Sequence, residues 1–261
     1  MIVLLSPAKT LDFEDSHTKI CTQPEFLDFS QNLIQALSKL SSEEIGSLMK
    51  LSPKLSSLNH QRFMKWTAQH RPENSKQALL AFKGDVYEGL RAWEFTQDDF
   101  KYAQRHLRIL SGLYGILKPL DLIQPYRLEM GTVFANPLGK NLYDFWGDLL
   151  YKNLSMQMKD FSNRAIINLA SQEYAKAVKL DQIDCPVITP VFQDEKKGQF
   201  KIISFYAKRA RGLMARFIID ERISDLSKLV HFNLNGYSYC KESSTDQSPV
   251  FKRPEKAKSA A

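Results

Sequence analysis

Three short segments set cations beside carboxylates or hydroxyls in patterns suited to chemistry on an anion. Ser6-Pro7-Ala8-Lys9-Thr10 flanks a lysine with hydroxyls, Phe82-Lys83-Gly84-Asp85-Val86-Tyr87 places a lysine and an aspartate about a glycine, and Arg127-Leu128-Glu129 brings a guanidinium within two residues of a carboxylate. If Lys9, Lys83, Asp85, Arg127 and Glu129 shared one pocket, the cations would hold an anionic group and a carboxylate would serve as general base. Each segment also has a plain structural reading. Lys9 reads equally as a solvated loop lysine, Asp85 as the cap of a helix running through Leu90, and Arg127 with Glu129 as an ion pair.

A second constellation is cationic throughout. Residues 196 to 217, KKGQFKIISFYAKRARGLMARF, contain seven lysines and arginines and no acid. On a helical wheel Ala210, Leu213, Met214, Phe217 and Ile218 form an apolar stripe, with Lys208, Arg209, Arg211 and Arg216 on or beside the opposite face. Gly212 falls among these charges and lowers helix propensity by up to about 1 kcal/mol, a cost compatible with close approach of a nucleic-acid backbone or another chain. Arg105, Arg108 and Lys118 flank the glycine turn Ser111-Gly112-Leu113-Tyr114-Gly115, where Gly112 and Gly115 let the backbone approach a ligand. Four to six of the charges of residues 196 to 217 meeting phosphates on duplex DNA predict a log–log salt slope on the order of −4 to −5.

The elements that must position these residues alternate in type. Ile2 to Leu5 reads as a buried strand that Pro7 ends. Helical periodicity dominates from Pro24 to Ala81, with a capping box at Ser41 and Glu44 and a helix start at Ser52-Pro53. A helix is expected from Thr96 to Leu110, and another from about Leu142 to Met158. Ala165 to Leu169, Val187 to Phe192 and Phe200 to Tyr206 read as strands, with a turn at Lys196-Lys197-Gly198. The pattern predicts a mixed α/β fold in one compact domain, a central mixed sheet surrounded by helices, over residues 1–252. Residues 253–261 read as a fraying polar tail.

Composition narrows the function classes. The 261 residues include 36 Lys and Arg against 29 Asp and Glu, a net charge of +7 that fits a polyanionic partner if the charge clusters. No apolar run approaches membrane-spanning length, so no membrane partner is expected. Cys21, Cys185 and Cys240 are widely spaced, and this usage suits the cytoplasm. His17, His60, His70, His106 and His231 show no paired ligand spacing, which argues against an iron store, and no metal site or cofactor is predicted.

Taken together, the Ser6 to Thr10, Phe82 to Tyr87 and Leu110 to Gly115 segments, Gln124 to Gly131, and Lys208-Arg209-Ala210-Arg211-Gly212 closely resemble the YaaA family. Asn168 to Ser171, Phe232 and Gly236-Tyr237 extend the resemblance over nearly the whole chain. It implies a cytoplasmic peroxide-stress protein of single-domain α/β fold that binds DNA and helps limit intracellular iron and oxidative DNA damage. It also implies a helix-hairpin-helix element, best placed at Asp98 to Ile123 with its hairpin at Ser111 to Gly115. Two functions follow. In the first, Arg105, Arg108, Gly112, Gly115, Lys118, Lys208, Arg209, Arg211 and Arg216 line a positive cleft for double-stranded DNA without strong sequence preference. In the second, an enzyme acts on a nucleotide or other anionic small molecule through Lys9, Lys83, Asp85, Arg127 and Glu129.

Overall fold

The computed structural model describes residues 1–14, 18–136 and 138–258. Strands β1 (Ile2–Leu5), β2 (Leu107–Ser111), β3 (Gly115–Leu117), β4 (Ile166–Asn168) and β5 (Val187–Ile188) form a five-stranded sheet in the order β3-β2-β1-β4-β5. β1 runs parallel to both β2 and β4, with Val3 opposite Leu107 and Ile2 opposite Ile166, while β3 returns antiparallel to β2. Every residue of β1 and β2 is buried, as a parallel sheet covered on both faces requires. A smaller sheet joins β6 (Val191–Lys196), β7 (Gln199–Lys201), β8 (Ser238–Tyr239) and β9 (Val250–Arg253) in the order β7-β6-β9-β8.

The helices that matter for the site are α1 (Leu27–Leu37), α2 (Ser42–Met49), α3 (Pro53–Lys65), α4 (Asp85–Leu90), α5 (Gln97–His106), α6 (Leu142–Trp146), α7 (Leu149–Met158) and α8 (Ser204–Asp220). The Ser41 capping box with Glu44 forms as its spacing predicts, and Pro53 opens α3. The chain is thus an α/β protein, and no helix among the described residues is long and apolar enough to cross a membrane.

Several boundaries differ from the sequence reading, each for a packing reason. The helix expected to reach Leu110 stops at His106, because Leu107 to Ser111 supply five consecutive buried positions beside β1. An apolar run of that length reads equally as helix or buried strand. The proposed helix-hairpin-helix at Asp98 to Ile123 is therefore a helix followed by a β-hairpin. Two helices joined by a three-residue turn occur instead at α2 and α3, where Lys50 takes a left-handed conformation (φ 53°) and ends α2. The third expected strand ends at Lys201, since Ser204 already opens α8.

The carboxyl-terminal segment is structured past the expected boundary. Arg253 closes β9, is buried, and donates to Asp194 at 2.7 Å. Asp194 also accepts from the Tyr237 hydroxyl at 2.8 Å, and the Arg253 guanidinium lies 4.7 Å from the ring centroids of both Tyr206 and Tyr237. Residues 255–258 form a 3-10 turn, while 259–261 lie outside the described residues.

Candidate anion-binding cleft

β1 lies between β2 and β4, so the loops leaving the carboxyl ends of β1 and β4 part company above the sheet. Such switch points are where open α/β sheets characteristically bind ligands. A cavity of about 470 Å³ opens there, lined by Ser6 to Thr10 after β1 and by Leu169, Ser171, Glu173 and Tyr174 after β4. The two loops are tied together: the Ser171 amide donates to Ser6 Oγ at 2.8 Å, and the Tyr87 hydroxyl donates to the Ser6 carbonyl at 3.0 Å. Burial pushes the Tyr87 phenol up, so it stays protonated and able to donate.

All five residues of the small-molecule reading line this one cavity: Lys9, Lys83, Asp85, Arg127 and Glu129. Arg127 and Glu129 form the ion pair that their spacing suggested. Arg127 donates to Glu129 Oε1 from Nε at 3.2 Å and from Nη2 at 3.0 Å, and Lys9 approaches the same oxygen at 3.2 Å. Arg127 and Glu129 are thus both an ion pair and part of the cavity wall. Lys83 pairs with Asp12 at 2.9 Å rather than with Asp85. The Glu14 amide and Lys83 hold the Asp12 carboxyl below its ordinary range. Sequence reading missed Asp12; its only signal was its place two residues after Thr10.

Asp85 does not cap α4. It is the first residue of that helix, Gly84 occupies the cap position, and no side-chain capping bond forms. Nor does Asp85 make any ion pair or hydrogen bond among the described residues. Glu173, also unforeseen, lines the cavity and accepts from the Gly131 amide at 2.8 Å.

The basic helix meets this cleft. Lys208 and Arg211 of α8 line it, beside an exposed Arg209. The glycine among these charges packs against the protein itself. A Cβ on Gly212 would overlap the Val86 carbonyl oxygen and stand 2.9 Å from the Leu90 nitrogen, and one on Gly89 would stand 2.9 Å from the Leu213 nitrogen. α4 and α8 therefore cross backbone to backbone, and it is α4, not a nucleic acid or another chain, that Gly212 admits. This crossing fixes Lys208 and Arg211 across from Asp85 and Tyr87.

The other residues of the DNA reading are dispersed. Arg108 is buried, spending its Nε on Gln157 at 2.6 Å and Nη1 on the carbonyls of Gln104 and Leu107, and burial draws its proton affinity down to about 10. Gly112 and Gly115 are also buried. A Cβ would stand 3.1 Å from the Leu128 carbonyl carbon at the first and 2.9 Å from the Trp146 ring at the second, where a φ of +70° also favours glycine, so the fold itself accounts for both. Arg105 lies on the surface over the Phe161 ring at 5.7 Å, and Lys118 lines a separate small polar cavity beside Asp121. Arg216 pairs with Asp220 at 2.7 Å, just outside the window in which the helix appeared unneutralised, and with the distant Glu94 at 3.3 Å.

Among the described residues no group of three or more His, Cys, Asp and Glu is arranged to hold a metal ion, and His17 lies outside those residues. The cleft offers cations to hold an anion, carboxylates to accept hydrogen bonds or a proton, and protonated phenols to donate. A family model described as peroxide stress protein YaaA matches residues 1–243, a span containing every cleft residue named above, and the chain belongs to this family.

Proposed function

We propose that the protein supports peroxide-stress resistance by binding DNA at this cleft. Lys208 and Arg209 at the rim meet backbone phosphates, and Arg211 within the cavity holds the phosphate of one nucleotide unit. The observation that carries this reading is that these three cations, within four residues of α8, make no ion pair among the described residues, with Lys208 and Arg211 lining the cavity and Arg209 exposed beside them. A cavity of about 470 Å³ has the size of a small-ligand site. A double helix, whose major groove alone is about 12 Å wide, meets only its rim. The turn between α2 and α3 supports a further backbone contact, because the N–H groups of Lys54 and Leu55 at the start of a 13-residue helix have no intrahelical acceptor. The protein would act in the cytoplasm, with lower intracellular iron and less oxidative DNA damage as the downstream outcomes.

Two rim phosphate contacts on a duplex predict a log–log salt slope of about −1.8, shallower than the composition alone suggested. Fluorescence anisotropy with a labelled duplex tests this against Arg209→Glu/Arg211→Glu. The double variant should lose binding while its unfolding midpoint stays within a few degrees. Retained binding, or a wild-type affinity indifferent to salt, would reject the reading.

A second reading is favoured by one observation, the unpaired Asp85 in the same cavity as Glu129, Lys9, Lys83 and Arg127. A phosphate site alone needs no free carboxylate, whereas catalysis on a nucleotide or other anionic small molecule needs a base. Incubation with a panel of nucleotides, followed by mass spectrometry, tests it. Turnover abolished by Asp85→Asn would establish the enzyme; no product from any member of the panel would reject it.

A further inference from the structure

The charges of the cleft are not equally available. Lys9 and Arg127 share Glu129, and Lys83 is held by Asp12. Among the cavity's cations this leaves Lys208 and Arg211 without a carboxylate partner among the described residues. Arg211 is the more informative of the two. It is half-buried, and burial lowers its proton affinity with no opposing acid. A guanidinium partly withdrawn from water, with no protein acceptor among the described residues, lines the cavity where an anion can reach it.

The shape of the unfilled partner follows from the donors. Arg211 presents a planar fork that matches two oxygens of one phosphate, while Lys208 adds a point charge three residues earlier on the same helix face. The backbone crossing at Gly212 and Gly89 holds this pair rigidly against α4. Two free positive charges balance a phosphomonoester, which carries about −1.5 to −2 at pH 7, better than the single charge of an internal phosphodiester.

We propose that Arg211 and Lys208 form a subsite for a terminal phosphomonoester, so that a nucleotide enters the cleft by its phosphate end. This rests on the cleft being a nucleotide site and specifies which form of nucleotide it takes: the 5′-phosphorylated end of a strand or a free nucleoside 5′-monophosphate.

The test compares two single-stranded octanucleotides, labelled at the 3′ end and differing only in a 5′-phosphate or 5′-hydroxyl, by anisotropy with the intact protein. The 5′-phosphorylated strand should bind at least tenfold more tightly. Arg211→Gln should erase that difference, Arg211→Lys should retain part of it, and Lys208→Gln, at an exposed position, should reduce it without affecting folding. Competition separates the two sources. Displacement by deoxyadenosine 5′-monophosphate but not by deoxyadenosine supports the subsite for free nucleotide as well as strand ends. Equal displacement by both overturns it. Equal affinity for the two octanucleotides would overturn the terminal-phosphate subsite while leaving DNA binding at the cleft intact. Binding of neither would overturn both.

Discussion

Gly212→Ala discriminates sharply between a solvated basic helix and one packed into the cleft wall. On an exposed helix face, replacing glycine with alanine stabilises by roughly 1 kcal/mol through helix propensity. Here the new methyl would stand 2.8 Å from the Val86 carbonyl carbon and 2.9 Å from the Leu90 nitrogen, where ordinary contact begins at 3.4 Å, and would overlap the Val86 oxygen outright. All three obstacles are backbone atoms, so no side-chain rotation relieves them, and α4 must move away from α8. Overpacking of this kind costs about 1–3 kcal/mol and can cost more, and backbone obstacles on both sides place this position at or above the upper end. The net effect is a loss of about 2 kcal/mol or more, which lowers the melting temperature by roughly 4–8 °C for a chain of this size. Urea unfolding followed by tryptophan fluorescence measures it, with Gly198→Ala as comparison. Gly198 has open space around its Cβ position but a φ of +75°, so that variant pays only backbone strain. Because α4 carries Asp85 and Tyr87, Gly212→Ala should also weaken ligand binding at temperatures where it remains folded. Unchanged or increased stability in Gly212→Ala would refute the backbone crossing and with it the placement of Arg211.

Other expectations test the scaffold. Arg253→Met strands Asp194 as a buried, uncompensated carboxylate and should cost about 3–5 kcal/mol in chemical denaturation; a loss under 1 kcal/mol would show that the ion pair is not the lock on β9. Asp121 is raised by burial to about 6 from 3.8, so the folded state binds more protons than the unfolded state between these values and stability falls as pH rises from 4 to 6. His70 is lowered by burial to about 4 from 6.5, so the unfolded state binds more protons there and stability rises over the same interval. The two effects oppose, each worth up to about 3 kcal/mol. Acidification from pH 6.5 to 4 should therefore destabilise Asp121→Asn more than wild type and His70→Gln less; identical pH slopes in all three proteins would contradict the assigned burial.

The sequence carried the cleft's chemistry better than its partnerships. Lys9, Lys83, Asp85, Arg127 and Glu129 were legible because each sits at a proline or glycine break or in a charged doublet, where chain geometry concentrates function. Their convergence was not legible, because it depends on long-range pairing that sets Thr10 opposite Lys83 and Val3 opposite Leu107. Local spacing also left partners unseen: Lys83 takes Asp12, and Arg216 takes Asp220 and Glu94. The glycines misled for a related reason. Gly112, Gly115 and Gly212 mark close approach, as their type suggests, but the approaching atoms belong to Leu128, Trp146 and Val86 of the same chain. Strand β2 was hidden inside a helical reading because His106 ends one element with no proline or glycine to announce the next.

The most direct test of the cleft as a nucleotide-phosphate site is a crystal structure of the protein with a 5′-phosphorylated deoxydinucleotide. The account predicts phosphate density within hydrogen-bond distance of both Arg211 and Lys208, with the nucleoside extending toward Asp85 and Glu129. An empty cleft with the dinucleotide bound elsewhere would contradict it.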